Sequence, residues 1–229
     1  MARNIMTTII KYDEREELIQ KVAAKISSAL ITALDGRETI TFAVPGGTTP
    51  GPILEKLSEF YLDWARVNVI LGDERWVPHS HERSNTRLIM KTLFKNEAKK
   101  ARFIPMYADF ASPEEGILHI NKDIEPTLPL SVALLGMGAD MHTASLFPGS
   151  KNLGLALSKD APNVVAVSAP GIPEPRVSLT ARVLNASQEK HLVFFGVDKK
   201  RVLDEAMFLD PLSAPVSAVL DGAFVHWAE

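Results

Sequence analysis

The chain contains no cysteine. That excludes disulfides, thiolate metal sites and a cysteine nucleophile together. No apolar run approaches the ~20 residues that a membrane-spanning helix needs. Neither sign of charge dominates: 25 Lys and Arg against 28 Asp and Glu leave a formal net charge of −3. No global field therefore favours nucleic acid or an anionic membrane. Aromatic residues are sparse at 7%, and Trp64, Trp76 and Trp227 stand isolated, so no stacking platform for bases is formed. An anionic small molecule would have to be met by a local cluster of donors. The stretch "MARNIMTTIIKYDEREE" has too short an apolar run for a secretory leader and turns acidic at once. A cytoplasmic location is the default expectation.

What is present is ordinary globular composition. The 229 residues, 46% hydrophobic and 23% charged, allow a sizeable core and are compatible with one domain over 1–229. Helices and strands alternate. "TTIIKY" reads as a strand, and an apolar face through Leu18, Val22, Ile26 and Leu30 predicts a helix from Asp13 to about Leu34. Asp13 with Glu16 has the spacing of a capping box, and Gly36 suits the stop. Strands are expected at "TITFAV", "VNVIL", "SVALLG", "NVVAVSA" and "HLVFFGV", with helices at "PILEKLSEF", "SNTRLIMKTLF" (Ser84 or Asn85 as cap), "SPEEGILHINKDI" and "DKKRVLDEAMFL". Short apolar strands with little alternation, spaced by helices, indicate a parallel sheet covered on both faces. The fold class is therefore α/β, doubly wound and Rossmann-like.

Four of these strands run into loops marked by glycine: "AVPGGTTP", "ILGDERWVP", "LLGMGADMHTAS" and "FFGVDKK". Loops that follow parallel strands emerge at one edge of the sheet, where ligands bind in such folds. In "VPGGTTP" the paired glycines admit close approach of a ligand, and Thr48 and Thr49 offer hydroxyls. The turn reads equally as a phosphate cradle or as a capped strand-to-helix turn. In "GDERWVP" alternation puts Asp73 and Arg75 on one face and Glu74 on the other. An acid and a guanidinium so placed orient hydroxyls and stabilise developing negative charge, although charged loop triplets are commonly just solvated. His79 and His81 have no third ligand at a known metal spacing, so no metal site is expected.

"ADMHTASLFP" places His142 just past a buried strand, ahead of "TAS", which reads as a helix start. An imidazole is largely neutral near pH 7 and accepts a proton from water, and Asp140 is near enough in sequence to influence it. No nucleophile elbow is present, and Ser145 falls inside the presumed helix, so a serine hydrolase is not expected. Arg176 and Lys199 remain as candidate phosphate ligands, a fork and a point charge respectively.

Taken together, "PGGTTP", "DERWVP" with "SN" downstream, "LLGMGADMHTASLFPGS", "PEPRVSLT" and "GVDKK" resemble the 6-phosphogluconolactonase family, which groups with the glucosamine-6-phosphate isomerase/deaminase-like proteins. The resemblance spans nearly the whole chain, in the family's order. It implies a single lactonase-like domain that hydrolyses 6-phosphoglucono-δ-lactone to 6-phosphogluconate in the oxidative pentose phosphate pathway. No cofactor or metal would be needed. The partner would be the sugar-phosphate lactone, with no nucleic acid or membrane, and the protein a monomer or small homo-oligomer. By motif, His142 would be the general base, with Asp73 and Arg75 lining the sugar. Gly46, Gly47 and Thr48 would cradle the phosphate, aided by Arg176 and Lys199. The chain departs from the family pattern at two positions. Met141 stands where glycine is usual, which puts its N–H in doubt as an oxyanion donor if that residue has positive φ. Pro45 stands where serine is common, removing a hydroxyl and an N–H. Two other readings are a glucosamine-6-phosphate isomerase/deaminase, whose glutamate soon after the histidine is missing here, and a non-catalytic sugar-phosphate-binding protein.

Overall fold

The structure, a computed structural model, describes residues 6–229; the first five residues of the stretch read above for a leader lie outside it. The chain runs β1 (Thr8–Lys11), α1 (Arg15–Leu34), β2 (Ile40–Val44), α2 (Gly51–Leu57), β3 (Val67–Leu71), β4 (Asp73–Arg75), α3 (Asn85–Thr92), β5 (Arg102–Ile104) and α4 (Pro113–Ile124). It continues β6 (Val132–Gly136), α5 (Leu153–Leu157), β7 (Val164–Val167), β8 (Arg176–Leu179), α6 (Ala181–Asn185), β9 (Glu189–Phe195), α7 (Val197–Ala206) and β10 (Ala223–Ala228). Seven strands form one sheet in the order β1-β10-β9-β6-β2-β3-β5, and every pairing in it is parallel.

From β2 the chain steps outward to β3 and β5, then returns to β6 on the other side of β2 and proceeds to β9 and β10. Right-handed crossovers on either side of that reversal put helices on opposite faces. The central strands are accordingly buried on both faces: β2 and β3 throughout, and β6 as far as Gly136. This explains their unbroken apolar runs. Phe42, Trp64, Phe194, Leu18, Ile26 and Leu30 fill the main core. Among the described residues no helix is long and apolar enough to cross a membrane.

Several expectations are corrected. The α1 start uses no Asp13–Glu16 box: the cap position is Glu14, without a side-chain bond, and Glu17 accepts from the Asp13 N–H at 3.3 Å. The strands around Asp73, Val164 and Arg176 do not join the parallel sheet. They form a separate antiparallel sheet, β4-β8-β7. "TAS" starts no helix. Thr143 and Leu146 form an isolated bridge, Ala144 has φ +49, and Thr143 Oγ1 donates to the Gly136 carbonyl at 2.9 Å. Leu146 and Phe147 are instead pulled into a second apolar cluster with Leu153, Val165 and Val167. Burial there outweighs the weak local signal for a helix. Four strands, β4, β5, β8 and β10, lie where no strand was expected.

A buried polar chain underlies one flank of the sheet. Tyr12 Oη bonds His226 Nδ1 at 2.9 Å, and His226 Nε2 lies 3.0 Å from His191 Nδ1. His191 Nε2 is 2.9 Å from Glu189 Oε1 but poorly aligned for a hydrogen bond. Burial first, then the charges of His191 and Lys25, push the His226 imidazole down to about 3. The unfolded chain takes up a proton below pH ~6.5 that the folded chain refuses. His226 therefore contributes full stability above that pH and loses it as pH falls toward 3. Urea midpoints of wild type and His226→Gln should diverge between pH 7 and 4, with the wild type falling more steeply by up to about 1.4 kcal/mol per pH unit. Parallel curves would show that folding does not lower the His226 pKa.

Candidate active site

The reversal between β2 and β6 opens a crevice at the carboxyl ends of these strands, where doubly wound sheets bind ligands. After β2 the chain turns through Pro45, Gly46 and Gly47. Gly47 has φ +90, and a Cβ on Gly46 would lie 2.0 Å from Asn85 Oδ1. Both positions thus require glycine, one for conformation and one for space.

After β6 the chain folds into a tight turn. The Gly138 N–H donates to the His142 carbonyl at 2.9 Å, and the Met141 N–H donates to the Gly138 carbonyl at 3.2 Å. Met141 has φ +67, so the departure from glycine does fall on a left-handed residue. The cost, ~1–3 kcal/mol, is opposed by packing of its side chain on the core and by a 3.0 Å bond from the Val216 N–H to its carbonyl. Its own N–H is spent inside the turn.

The same turn brings His142 Nδ1 into a hydrogen bond with Asp140 Oδ1. An ionised carboxylate only accepts, so the proton sits on Nδ1 and Nε2 carries the lone pair. That hydrogen bond holds the Asp140 carboxyl below the ordinary aspartate range despite partial burial. The ring packs against Phe147, centroids 4.5 Å apart, and stays partly open, with 30% of the side chain exposed.

The small sheet supplies the opposite wall. In β4 and β8, Asp73 is registered with Ser178 and Arg75 with Arg176. Residues directly opposite share a face, so Asp73, Arg75 and Arg176 all point one way. Glu74, as alternation predicts, points the other way. It is fully buried at the start of α3, accepting from the Asn85 N–H at 2.7 Å, the Thr86 N–H at 2.8 Å and Thr86 Oγ1 at 2.8 Å. A carboxylate there satisfies helix donors and suits the positive end of the dipole. Ser84 is the cap of α3, accepting from the Arg87 N–H. Asn85 turns inward, its Nδ2 donating to the Asp73 carbonyl at 2.8 Å.

Arg176 and Asp73 are both buried, with Nη1 3.8 Å from Oδ2. Burial lowers the Arg176 pKa and the Asp73 charge works against that. Lys199, at the start of α7, is partly buried and donates from Nζ to the Met137 carbonyl at 2.7 Å. Burial lowers its pKa too, against the pull of Asp140.

All eight candidates (Gly46, Gly47, Thr48, Asp73, Arg75, His142, Arg176 and Lys199) line one cavity of about 360 Å³. A larger cavity, about 670 Å³, lies between α5, α6 and residues 210–212 and contains none of them. Asn85, Phe147 and Ile172 also line the site and were not singled out from the sequence. Asn85 was considered only as a cap; the other two are apolar residues with no chemical signature. His79 and His81 point to other work, against Tyr107 and as acceptor of the Arg83 N–H. Among the described residues no group of three or more His, Asp or Glu is gathered as a metal site would require.

The family described as glucosamine-6-phosphate isomerases/6-phosphogluconolactonase matches residues 13–227. The chain belongs to this family. A 6-phosphogluconolactonase of Pseudomonas aeruginosa is 40% identical over 215 residues, covering 92% of this chain and 90% of that protein. One from Caulobacter vibrioides is 38% identical, covering 95% and 96%. The crystal structure of a 6-phosphogluconolactonase from Shewanella baltica superposes with a TM-score of 0.95 at 32% identity, over 100% of both chains. Within the family the similarity thus falls on the lactonase branch, and the cavity above occupies the crevice at the reversal of a fold shared over its full length.

Proposed function

We propose that the chain, acting as one domain over residues 1–229, hydrolyses 6-phospho-D-glucono-1,5-lactone to 6-phosphogluconate in the cytoplasm. The observation that carries this reading is the Asp140–His142 pair, open to the same cavity as a glycine turn, a buried arginine and a partly buried lysine. A lactone is an ester and needs a base, a water and donors for the oxyanion.

His142 Nε2 takes a proton from water as the oxygen attacks C1. Asp140 keeps the tautomer and favours the imidazolium that forms. The tetrahedral oxyanion cannot use the Met141 or Gly138 N–H, both already donated within the turn; the Arg75 guanidinium is the charge that serves it. Collapse breaks the bond from C1 to the ring oxygen, which leaves with the proton from His142. Asp73 takes a sugar hydroxyl. The phosphate is gripped by Gly46, Gly47 and Thr48 with Arg176 and Lys199. Pro50 and Pro52 lack N–H groups at the start of α2, so the backbone donors come chiefly from the turn itself. The Pro45 departure leaves the two glycines and Thr48 in place.

Purified protein should hydrolyse freshly generated lactone far above its spontaneous rate, read as acid release at constant pH. A rate equal to the uncatalysed one would remove the activity. Lys199→Ala and Arg176→Ala should raise KM by roughly ten- to hundredfold with little change in kcat, since the phosphate does not change during the reaction. Loss of kcat at constant KM would place them at the reacting carbon instead.

A further inference from the structure

Ser145 is fully buried, and its Oγ donates to Asp73 Oδ2 at 2.5 Å. Its N–H donates to Ser178 Oγ at 3.2 Å, and Ser178 stands opposite Asp73 in the small sheet. The serine is thus tied twice to the wall that carries Asp73, although it belongs to the loop that carries His142. Its partner is a carboxylate and not the imidazole, so it is no nucleophile.

The bond divides the work of the Asp73 carboxylate. Oδ2 is held by Ser145 and lies 3.8 Å from Arg176 Nη1. Oδ1 has no partner among the described residues and is not sealed from solvent, in a residue that lines the cavity. Arg75 and Arg176 stand opposite each other, two residues along from Asp73 on the same face. Without a fixed donor on Oδ2, the carboxylate would rotate into a direct ion pair with Arg176 and carry both groups off the substrate.

We infer that Ser145 is a positioning residue: it holds Asp73 short of a collapsed ion pair with Arg176, presents Oδ1 to a sugar hydroxyl, and registers the Asp73 wall against the His142 loop. This rests on the lactonase reading and adds to it a residue that never meets substrate.

The test is a double-mutant cycle in kcat/KM for lactone, using wild type, Ser145→Ala, Asp73→Asn and the double variant. Ser145→Ala should fall roughly ten- to hundredfold. The double variant should fall no further than Asp73→Asn, within about twofold, because the hydroxyl acts only through that carboxylate. Inhibition by inorganic phosphate should weaken in Ser145→Ala, because the collapsed pair draws Arg176 from the anion, and adding Ser145→Ala to Asp73→Asn should weaken it no further. Full multiplication of the two losses, a Ser145→Ala variant as active as wild type, or phosphate inhibition unchanged in Ser145→Ala would each overturn the inference. If Ser145→Ala melts below the assay temperature, Ser145→Cys runs the same cycle, since it fills the site and offers only a weak S–H donor. An inactive wild type would overturn both the lactonase reading and this inference. An active wild type with multiplicative variants overturns this inference alone.

Discussion

His142→Ala is expected to lower kcat by about a hundred- to ten-thousandfold while KM stays within a few-fold. The range is what a positioned general base supplies. Among the described residues the imidazole is the one histidine lining the cavity, and its Nδ1 is committed to Asp140, so removing it leaves water to attack unaided. Binding should survive, because the cations and the glycine turn lie on other segments. Some rate above water should also survive, since the Arg75 guanidinium proposed for the oxyanion is left in place. Steady-state acid release, with phosphate inhibition as a check that the pocket is intact, measures both parts. A kcat within threefold of wild type would remove His142 from the chemistry.

The second large effect is expected at a residue with no functional group. A Cβ on Gly138 would stand 2.2 Å from His142 Nδ1 and 2.3 Å from Asp140 Oδ1. Those are the two atoms of the hydrogen bond that orients the base. Both belong to side-chain ends, which can swing away without disturbing the main chain. Gly138→Ala should therefore fold nearly as stably as wild type, with an unfolding midpoint shifted by about 1 kcal/mol or less. It should nevertheless lose about a hundredfold in kcat, because displacement of a reacting group by ~1 Å costs that much. A variant that is both stable and fully active would mean that the imidazole works without Asp140. A variant that unfolds would mean that the turn cannot yield.

Much of this site was legible because its signals are local. Strand, glycine turn and the alternation of Asp73 and Arg75 follow from short-range rules, and topology alone brings such loops to one edge. Glu74 was correctly turned away from the crevice, yet nothing nearby announced that α3 would come to meet it. The "TAS" segment misled for a similar reason: Leu146 and Phe147 answer to Val165 and Val167, some twenty residues on. β10 pairs with β1 across most of the chain, and β5 has only three residues, too few for a periodic pattern. Asn85 and Ser145 became visible only through the partners that folding gives them.

The glycine turn follows β2 and the imidazole follows β6, and these two strands are hydrogen-bonded neighbours. Their spacing is fixed by the ladder at about 4.8 Å, and neither loop can alter it. On the proposed reading the sheet acts as a gauge, measuring the span between an anionic anchor and the carbon to be attacked. A phosphorylated lactone with a shorter reach would then have to give up one end or the other, which would place selectivity for chain length in the backbone ladder.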